Sequence, residues 1–256
     1  MAGGLGKRMN SNVPKVLHKV SNIPMIVRII KQAEFLNPSN ILIVVGKYRN
    51  IIEKTLDEYL DINKLTFINQ PESNGTGHAI MCCKDFLESY RFSHPHDKNV
   101  LILSGDTPLI SFKTMNSIIN YTIDNNYMNT MMTAELENPY GNGRIIRGRD
   151  NIFSRICEEK DCDEDEKKIK EINCGIYVLN IDTICQNIMS LTNNNAQHEY
   201  YLTDLFQIII HKYKSENKSD NILGIYKLEN DKQYELLNVN TPEQLNAAEI
   251  YLQNYI

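Results

Sequence analysis

Short apolar runs alternate with segments of helical spacing along the first half of the chain. Residues 41–45 and 100–103 are continuous apolar runs, and a shorter run covers residues 65–68. Continuous apolar runs of this length are typical of strands that are buried on both faces of a sheet. Helical spacing is present at residues 49–60, 76–87 and 113–121, after an earlier helix that begins near residue 23. Because the two patterns alternate, they predict βαβ units and an α/β fold with a mostly parallel sheet and helices on both faces.

The second half of the chain has more strands and fewer helices. Strands are predicted at residues 130–136, 144–147, 152–157, 172–179 and 222–227, and helices at residues 181–191 and 202–213. Thr241-Pro242-Glu243-Gln244 has the spacing of a capping box with proline at the first helical position. We therefore expect a C-terminal helix that reaches residue 255. The pattern as a whole predicts a mixed sheet with hairpin-like insertions.

Composition excludes several classes of protein. The 256 residues carry a net charge of −5 at pH 7, so no general basic surface for nucleic acid is expected. No apolar run approaches the roughly 20 residues of a membrane span. The six cysteines contain no CxxC pair, which favours a reducing, cytoplasmic location. The sequence does not indicate an oligomeric state.

The chain begins with a glycine-rich loop, Ala2-Gly3-Gly4-Leu5-Gly6-Lys7-Arg8-Met9. Glycines let a backbone bend tightly and approach a bulky anion, and the N–H groups exposed in such a turn form an anion-binding concavity. Arg8 and Lys15 add two spaced positive charges. This combination suits a triphosphate, and the alternative is a flexible tail. The GxxxxGK[ST] phosphate motif is absent.

Asp106 follows the apolar run at residues 100–103, within the segment Ser104-Gly105-Asp106-Thr107-Pro108. In open α/β sheets, ligands bind beyond the carboxyl ends of the strands. Mg²⁺ prefers one or two carboxylates together with phosphate oxygens, so Asp106 is a candidate metal ligand. The alternative is an aspartate that starts a turn before proline.

A second glycine-containing segment, residues 70–79, follows the strand at residues 65–68 and opens a helix. Gly75 and Gly77 permit a close backbone approach, and the Gln70 amide both donates and accepts hydrogen bonds. Such an amide can read the edge of a pyrimidine. His78 is better explained as a structural histidine at a helix start than as a base.

Several positions in the second half supply a polar side chain or bare backbone that can hold a sugar hydroxyl or an amide. They are Gly143 in a glycine turn, Glu158 after a strand, Asn173 within a strand and Asn240 before the last helix. The charged run at residues 162–168 is expected to be a solvated loop, with an acidic metal site as the alternative.

These motifs occur in an order that resembles a known family. The first residues and Pro14-Lys15 are similar to the AGGxGxRM…PK signature of the sugar-1-phosphate nucleotidyltransferases. Residues 191–204, LTNNNAQHEYYLTD, are closely similar to the LTNNNAQGEYYLTD block of the bacterial-type N-acetylglucosamine-1-phosphate uridylyltransferases. Residues 75–79, 158–161 and 171–175 match that family as well. The resemblance covers nearly the whole chain.

The resemblance implies a Rossmann-like nucleotidyltransferase fold of the GT-A type. It implies a single domain, residues 1–256, with a nucleotide-binding half at residues 1–125 and a sugar-binding half at residues 126–256. The implied reaction joins UTP and N-acetylglucosamine 1-phosphate with Mg²⁺, giving UDP-N-acetylglucosamine and pyrophosphate. The implied roles are catalytic phosphate binding by Arg8 and Lys15; nucleotide binding by Ala2, Gly3, Gly4, Gln70, Gly75, Thr76 and Gly105; sugar binding by Gly143, Glu158 and Asn173; and metal binding by Asp106 and Asn240.

Three departures from the family bear on these expectations. Ser104 stands where many members have tyrosine, which removes an aromatic wall and is expected to loosen selectivity. Met1 falls on the last residue of the family's first strand, so that strand is expected to be truncated, and a true start upstream is the favoured explanation. Many bacterial members continue into a β-helix with acetyltransferase activity, which is not expected here. The alternatives are a different sugar or nucleotide, or a nucleotide-sugar-binding protein without turnover.

Overall fold

A computed structural model describes residues 1–4, 6–9, 11–215 and 221–255. The chain divides into two compact units, each assembled from separate stretches of sequence. Unit 1 consists of Met1–Ser73, Ser104–Ser117 and Lys232–Ile256, and unit 2 consists of Asn74–Leu103 and Ile118–Asp231. The arrangement as a single domain with halves that meet near residue 125 stays a prediction.

The elements of the described residues are numbered in chain order. The strands are β1 (Lys19–Val20), β2 (Ile23–Pro24), β3 (Ile41–Val45), β4 (Leu65–Asn69), β5 (Asn99–Ile102), β6 (Asn129–Glu135), β7 (Arg144–Arg147), β8 (Phe153–Cys157), β9 (Glu171–Asn180) and β10 (Leu223–Lys227). The helices are α1 (Met25–Glu34), α2 (Arg49–Asp57), α3 (Thr76–Met81), α4 (Lys84–Ser93), α5 (Phe112–Asp124), α6 (Ile181–Asn187), α7 (Asp204–Ser215) and α8 (Pro242–Tyr255). None of the described helices has the length and apolarity that a membrane crossing needs.

Unit 1 is built around the parallel pair β3 and β4, which run in register from Ile41 opposite Leu65 to Val45 opposite Asn69. The inner faces of α1 and α2 contribute buried residues to the same apolar cluster as these strands. Burial of these apolar faces therefore determines where the connecting loops emerge.

The capping box predicted at the last helix is present in one of its two bonds. The Gln244 N–H donates to Thr241 Oγ1 at 3.3 Å, and α8 begins at Pro242. The return bond is shifted by one residue, because Gln244 Oε1 accepts from the Asn240 N–H at 2.8 Å.

Met1 and Ala2 make strand-type hydrogen bonds on both sides. The Ala2 N–H donates to the Val44 carbonyl at 2.8 Å, and the Gly105 N–H donates to the Met1 carbonyl at 2.9 Å. A Cβ atom on Gly105 would lie 2.8 Å from that carbonyl oxygen, so a side chain there would clash. The two residues lie where the sequence predicts a truncated first strand.

Unit 2 contains a six-stranded mixed sheet with β9 at its centre. β9 pairs in antiparallel fashion with β5, β6 and β7, whereas β10 pairs with β6 in parallel. β7 and β8 form the predicted hairpin-like insertion. Phe206 of α7 packs on this sheet, with its ring centroid 5.0 Å from that of Tyr177.

Three local expectations need correction. The predicted helix at residues 76–87 is two helices, α3 and α4, interrupted at Cys82 and Cys83. The interruption keeps the buried residues on one side, so it leaves the apolar spacing unchanged. The helix expected from residue 23 begins at Met25, because Ile23 and Pro24 pair with β1. The run at residues 100–103, expected in a parallel sheet, pairs through β5 in antiparallel fashion with β9.

Replacing Phe206 with alanine should strongly destabilise unit 2. Phe206 is 1% exposed, and removing a buried aromatic ring typically costs about 3–5 kcal/mol because a cavity remains. Phe92→Ala is the matched control, since Phe92 is 92% exposed; it should change the free energy of unfolding by less than about 0.5 kcal/mol. Urea unfolding followed by circular dichroism and fluorescence measures both, and equal losses in the two variants would contradict this packing.

Candidate active site

A cluster of charged and polar groups in unit 1 joins three segments that are distant in sequence. Lys15 Nζ donates to Asp106 Oδ2 at 2.5 Å and to Asn240 Oδ1 at 2.9 Å. The side chains of Lys15 and Asp106 are each 16% exposed, so the ion pair is partly shielded and still reachable from solvent. The structure thus brings three of the predicted site residues into direct contact.

The glycine-rich loop lies against Gln70. A Cβ atom on Gly3 would lie 2.3 Å from Gln70 Oε1, so a side chain at position 3 would displace the Gln70 amide. Gln70 is 4% exposed, and its backbone N–H donates to the Val45 carbonyl at 2.6 Å. Ser73, which sequence reasoning missed, fixes the loop further because its hydroxyl donates to the Gly3 carbonyl at 2.9 Å. Ala2 is also buried here.

Gly6 lies against Lys15. Gly6 has a φ of +59°, and a Cβ atom there would lie 2.6 Å from Lys15 Cβ. Arg8 follows in a short 3-10 turn and is exposed, with no side-chain hydrogen bond or ion pair to the described part of the chain. A guanidinium without an internal partner is available to bind an anion. Gly4 is exposed as well.

In unit 2, the segment around Gly75 and Thr76 packs on the backbone at Tyr200. Gly75 has a φ of +104°, and a Cβ atom there would lie 2.5 Å from the Tyr200 carbonyl oxygen. The Gly77 N–H donates to that same carbonyl at 2.7 Å. Thr76 Oγ1 accepts from the Leu202 N–H at 3.1 Å. The block at residues 191–204 therefore supports this glycine segment.

Gly143 and Glu158 are neighbours in unit 2. A Cβ atom on Gly143 would lie 2.9 Å from Ile156 Cγ2 and 3.4 Å from Glu158 Oε2. The Thr203 hydroxyl donates to Glu158 Oε1 at 2.8 Å. Burial raises the pKa of Glu158, and the negative charges of Asp204 and Asp161 raise it further. A carboxyl group that keeps its proton to higher pH can donate as well as accept a hydrogen bond.

Asn173 lies beside a bulge in β9. Residues 174–176 stand opposite the single residue Met132 of β6, since Asn173 pairs with Thr133 and Tyr177 pairs with Met131. The Asn173 side chain is held on both sides, because Nδ2 donates to the Tyr177 hydroxyl at 2.7 Å and Oδ1 accepts from the Gly175 N–H at 3.2 Å. The Asn173 N–H donates to the Gly143 carbonyl at 2.9 Å. The structure thereby places the three predicted sugar-binding residues together.

Arg144 supports this group, and sequence reasoning missed it. It is 1% exposed, and its Nη2 lies 2.7 Å from Glu159 Oε2. The same oxygen accepts from the Gly141 N–H at 2.9 Å, which fixes the glycine turn before Gly143. Arginine is mostly exposed in proteins, and Glu159 lies 15 positions away in the chain, so the sequence carried no signal for this buried pair.

The oxygen atoms of Asp106 and Asn240 fit a divalent cation. One carboxylate and one amide oxygen are hard ligands of the type that Mg²⁺ takes. The Lys15 ammonium lies between them and shows that a positive charge is stabilised there. A cation that used both oxygens would replace the ammonium. Members of the nucleotidyl transferase family generally use a divalent metal.

The family model of the nucleotidyl transferases matches residues 1–222. The chain belongs to the nucleotidyl transferase family, so the predicted family, enzyme class and fold are confirmed. A "Probable UDP-N-acetylglucosamine pyrophosphorylase" of Acanthamoeba polyphaga mimivirus is 42% identical over 97% of this chain and 93% of its own length. The "Bifunctional protein GlmU" of Thermoanaerobacter pseudethanolicus is 38% identical over the whole chain, which spans 51% of that protein.

Two solved structures share the fold. A Bacillus anthracis protein assigned as a glucose-1-phosphate thymidylyltransferase has a TM-score of 0.72 and 18% identity, with 100% of this chain and 94% of that one covered. A UDP-glucose pyrophosphorylase without ligand has a TM-score of 0.65 and 16% identity, with 100% and 97% covered. At these identities the likeness shows the mixed α/β fold alone.

Gly75→Ala should destabilise unit 2 far more than Gly141→Ala. Both glycines have positive φ values, +104° and +82°, so both substitutions strain the backbone, and the ψ of 174° at Gly75 lies in a region that is essentially restricted to glycine. Only at Gly75 would the new Cβ atom also meet backbone, whereas at Gly141 nothing lies within 4 Å. We expect a lower melting temperature for Gly75→Ala, measured by calorimetry. Similar losses in both variants would contradict the close packing of Gly75 on Tyr200.

Proposed function

We propose that this chain transfers UMP from UTP to N-acetylglucosamine 1-phosphate, giving UDP-N-acetylglucosamine and pyrophosphate. The observation that carries the proposal is the contact of Lys15 with Asp106 and Asn240. It provides a cation for phosphates and a pair of oxygen ligands for a metal. The choice of sugar and nucleotide is supported by the name of the mimivirus relative, which specifies UDP-N-acetylglucosamine.

We assign the nucleotide to small residues of the glycine-containing segments and to the Gln70 amide. Gln70 lies against Gly3 and can pair with the uracil edge, since its amide both donates and accepts. The other residues that we assign to the nucleotide are Ala2, Gly4, Gly75, Thr76 and Gly105. Their small side chains or bare backbone permit a close approach of the ligand.

The N-acetylglucosamine group is assigned to Gly143, Glu158 and Asn173. These residues offer a glycine without a side chain, a carboxyl that Thr203 orients, and an amide that Tyr177 and the Gly175 backbone orient. A site with fixed polar groups discriminates strongly against a sugar that lacks the matching group, because its own polar atoms then stay unpaired. Selectivity for the acetamide is therefore expected to arise here.

The reaction needs no nucleophile from the protein. A phosphate oxygen of N-acetylglucosamine 1-phosphate attacks the α-phosphorus of UTP, an O–P bond forms, and the bond to the β-phosphate oxygen breaks to release pyrophosphate. Arg8 and Lys15 offset the negative charge that gathers on the phosphates. We assign Asp106 and Asn240 to a bound Mg²⁺, which would screen the phosphate charges. Positioning and charge neutralisation then supply most of the rate.

The proposed substrates support the predicted cytoplasmic location. UTP and sugar phosphates carry several negative charges and do not cross membranes unaided, because transfer of charges into an apolar medium is costly. An enzyme that uses both would work where both are made.

Pyrophosphate release from UTP and N-acetylglucosamine 1-phosphate should depend on Mg²⁺ and on Asp106. Asp106→Ala removes the carboxylate that orders the cation and Lys15, and we expect release to fall at least about 100-fold. Asp57→Ala is the control, since Asp57 is an exposed residue of α2. Circular dichroism and melting temperature establish that the variants fold.

Three results would argue against the proposal. Unchanged turnover in folded Asp106→Ala would remove the metal assignment. Faster release with glucose 1-phosphate or with thymidine triphosphate would change the substrate. Binding of UDP-N-acetylglucosamine without any pyrophosphate release would show a binding protein without turnover.

Lys15→Met should separate metal binding from turnover. The ammonium competes with a cation for Asp106 and Asn240, and relieving this repulsion at a partly exposed site is worth on the order of 1–2 kcal/mol. We expect Mn²⁺ to bind at least about tenfold more tightly without nucleotide, and turnover to fall. A Mn²⁺ titration followed by electron paramagnetic resonance, which reports the concentration of free Mn²⁺, measures this affinity. Lys31→Met, at an exposed position of α1, is the control. Weaker Mn²⁺ binding in Lys15→Met would mean that Lys15 holds the ligands in place.

A further inference from the structure

Two thiols and a carboxylate converge in unit 2, at Cys157, Cys162 and Glu166. Their Sγ and carboxylate oxygen atoms all lie within 4.8 Å of one another. Cys157 and Cys162 are 3% and 6% exposed, and Glu166 is half-buried. Across residues 1–4, 6–9, 11–215 and 221–255, no other trio of histidine, cysteine, aspartate or glutamate side chains converges in this way.

Two consecutive turns build this cluster. Cys157 ends β8, and the Cys162 N–H donates to the Glu158 carbonyl at 3.1 Å, which folds the chain back. Cys162 Sγ then donates to the Cys157 carbonyl at 3.3 Å. In the second turn, the Glu166 N–H donates to Asp163 Oδ1 at 2.8 Å, and the Glu166 carboxylate returns to Cys157. The run expected to be a solvated loop therefore turns two of its side chains inward.

We propose that Cys157, Cys162 and Glu166 bind a thiophilic divalent cation of the zinc type. In a tetrahedral zinc site, Zn–S bonds of about 2.3 Å and Zn–O bonds of about 2.1 Å set the ligand atoms about 3.4–3.8 Å apart. Cys157 Sγ already lies 3.3 Å from Glu166 Oε2. With the other ligand atoms within 4.8 Å, shifts on the order of 1 Å complete the geometry.

The charges balance when the cation binds. Two S–H bonds lose their protons to solvent, so two thiolates and one carboxylate face one divalent cation. The Arg155 guanidinium donates to Glu166 Oε1 and also bonds Cys157, and it offsets the remaining negative charge. Glu166 is partly exposed to solvent, so a water molecule can occupy the fourth coordination position of the cation. Thiolate ligands disfavour Mg²⁺, which prefers oxygen, so this site and the Asp106 site select different ions.

A bound cation would fix both ends of the segment that carries Glu158. Cys157 and Cys162 flank residues 158–161, and within them Asp161 accepts from the Ala196 N–H at 2.8 Å. The inference stands independently of the proposed reaction, because it uses neither the substrates nor the residues assigned to them as ligands.

Cobalt titration of the full chain tests the site. The reduced, chelator-treated protein receives Co²⁺ in the presence of excess Mg²⁺, which fills sites made of oxygen alone. We expect one equivalent of Co²⁺ with thiolate-to-cobalt charge-transfer absorption, and its displacement by Zn²⁺. Affinity should fall at least about 100-fold in Cys162→Ser and at least about tenfold in Glu166→Gln. Cys185→Ser, at a half-buried cysteine outside the cluster, should bind as the parent does.

Each possible result of the titration either supports or overturns the proposed site. Loss of the absorption in Cys162→Ser and its weakening in Glu166→Gln support the site, and Glu166→Gln serves alone if the serine variant does not fold. No thiolate absorption in the parent chain, or the same absorption in Cys162→Ser, overturns the proposal. So does exclusion of Co²⁺ by a parent chain in which Cys157 and Cys162 are shown to be reduced thiols.

Discussion

The candidate chemistry of unit 1 depends on the ion pair between Lys15 and Asp106. The ammonium also bonds Asn240, so it joins residues that lie 91 and 225 positions from it in the chain. Backbone contacts reinforce the junction, because the Asp106 carbonyl accepts from the Val239 N–H at 2.8 Å. An unpaired carboxylate in this partly shielded place would be costly. The ammonium therefore holds together the two oxygens that we propose as metal ligands.

In the proposed reaction, the same geometry would let the cluster respond to the charge of its substrates. A triphosphate brings negative charge and a divalent cation brings positive charge. A cation that took the oxygens of Asp106 and Asn240 would release Lys15 to the phosphates, and the net charge near Asp106 would change little. A lysine suits this exchange because its charge sits on a flexible stem, whereas a guanidinium would bind the carboxylate in a fixed planar geometry.

The sequence predicts local features of the fold well because they follow from the spacing of buried residues. The strand at residues 41–45 is observed with the same bounds, and the Thr241 capping box correctly predicts where α8 begins. The break between α3 and α4 and the bulge in β9 are invisible in the spacing. Both keep buried residues on the inner side, so the pattern of apolar positions does not record them. The bulge brings Asn173 into contact with Tyr177, so the spacing of apolar residues alone could not predict this contact.

The cysteine cluster was unpredictable from sequence for a related reason. Cys157 and Cys162 are separated by four residues, which is within the range of zinc-site pairs, but no second cysteine or histidine pair at ligand spacing follows them in the sequence. The third ligand, Glu166, belongs to a run of charges whose composition alone indicates solvent exposure. Only the two hydrogen-bonded turns bring it inward. Composition describes how charged a segment is, whereas hydrogen-bonded turns decide which of its side chains face one another. The cation selectivity that we propose for the two sites then follows from their ligand atoms, which are oxygen at Asp106 and sulfur at Cys157.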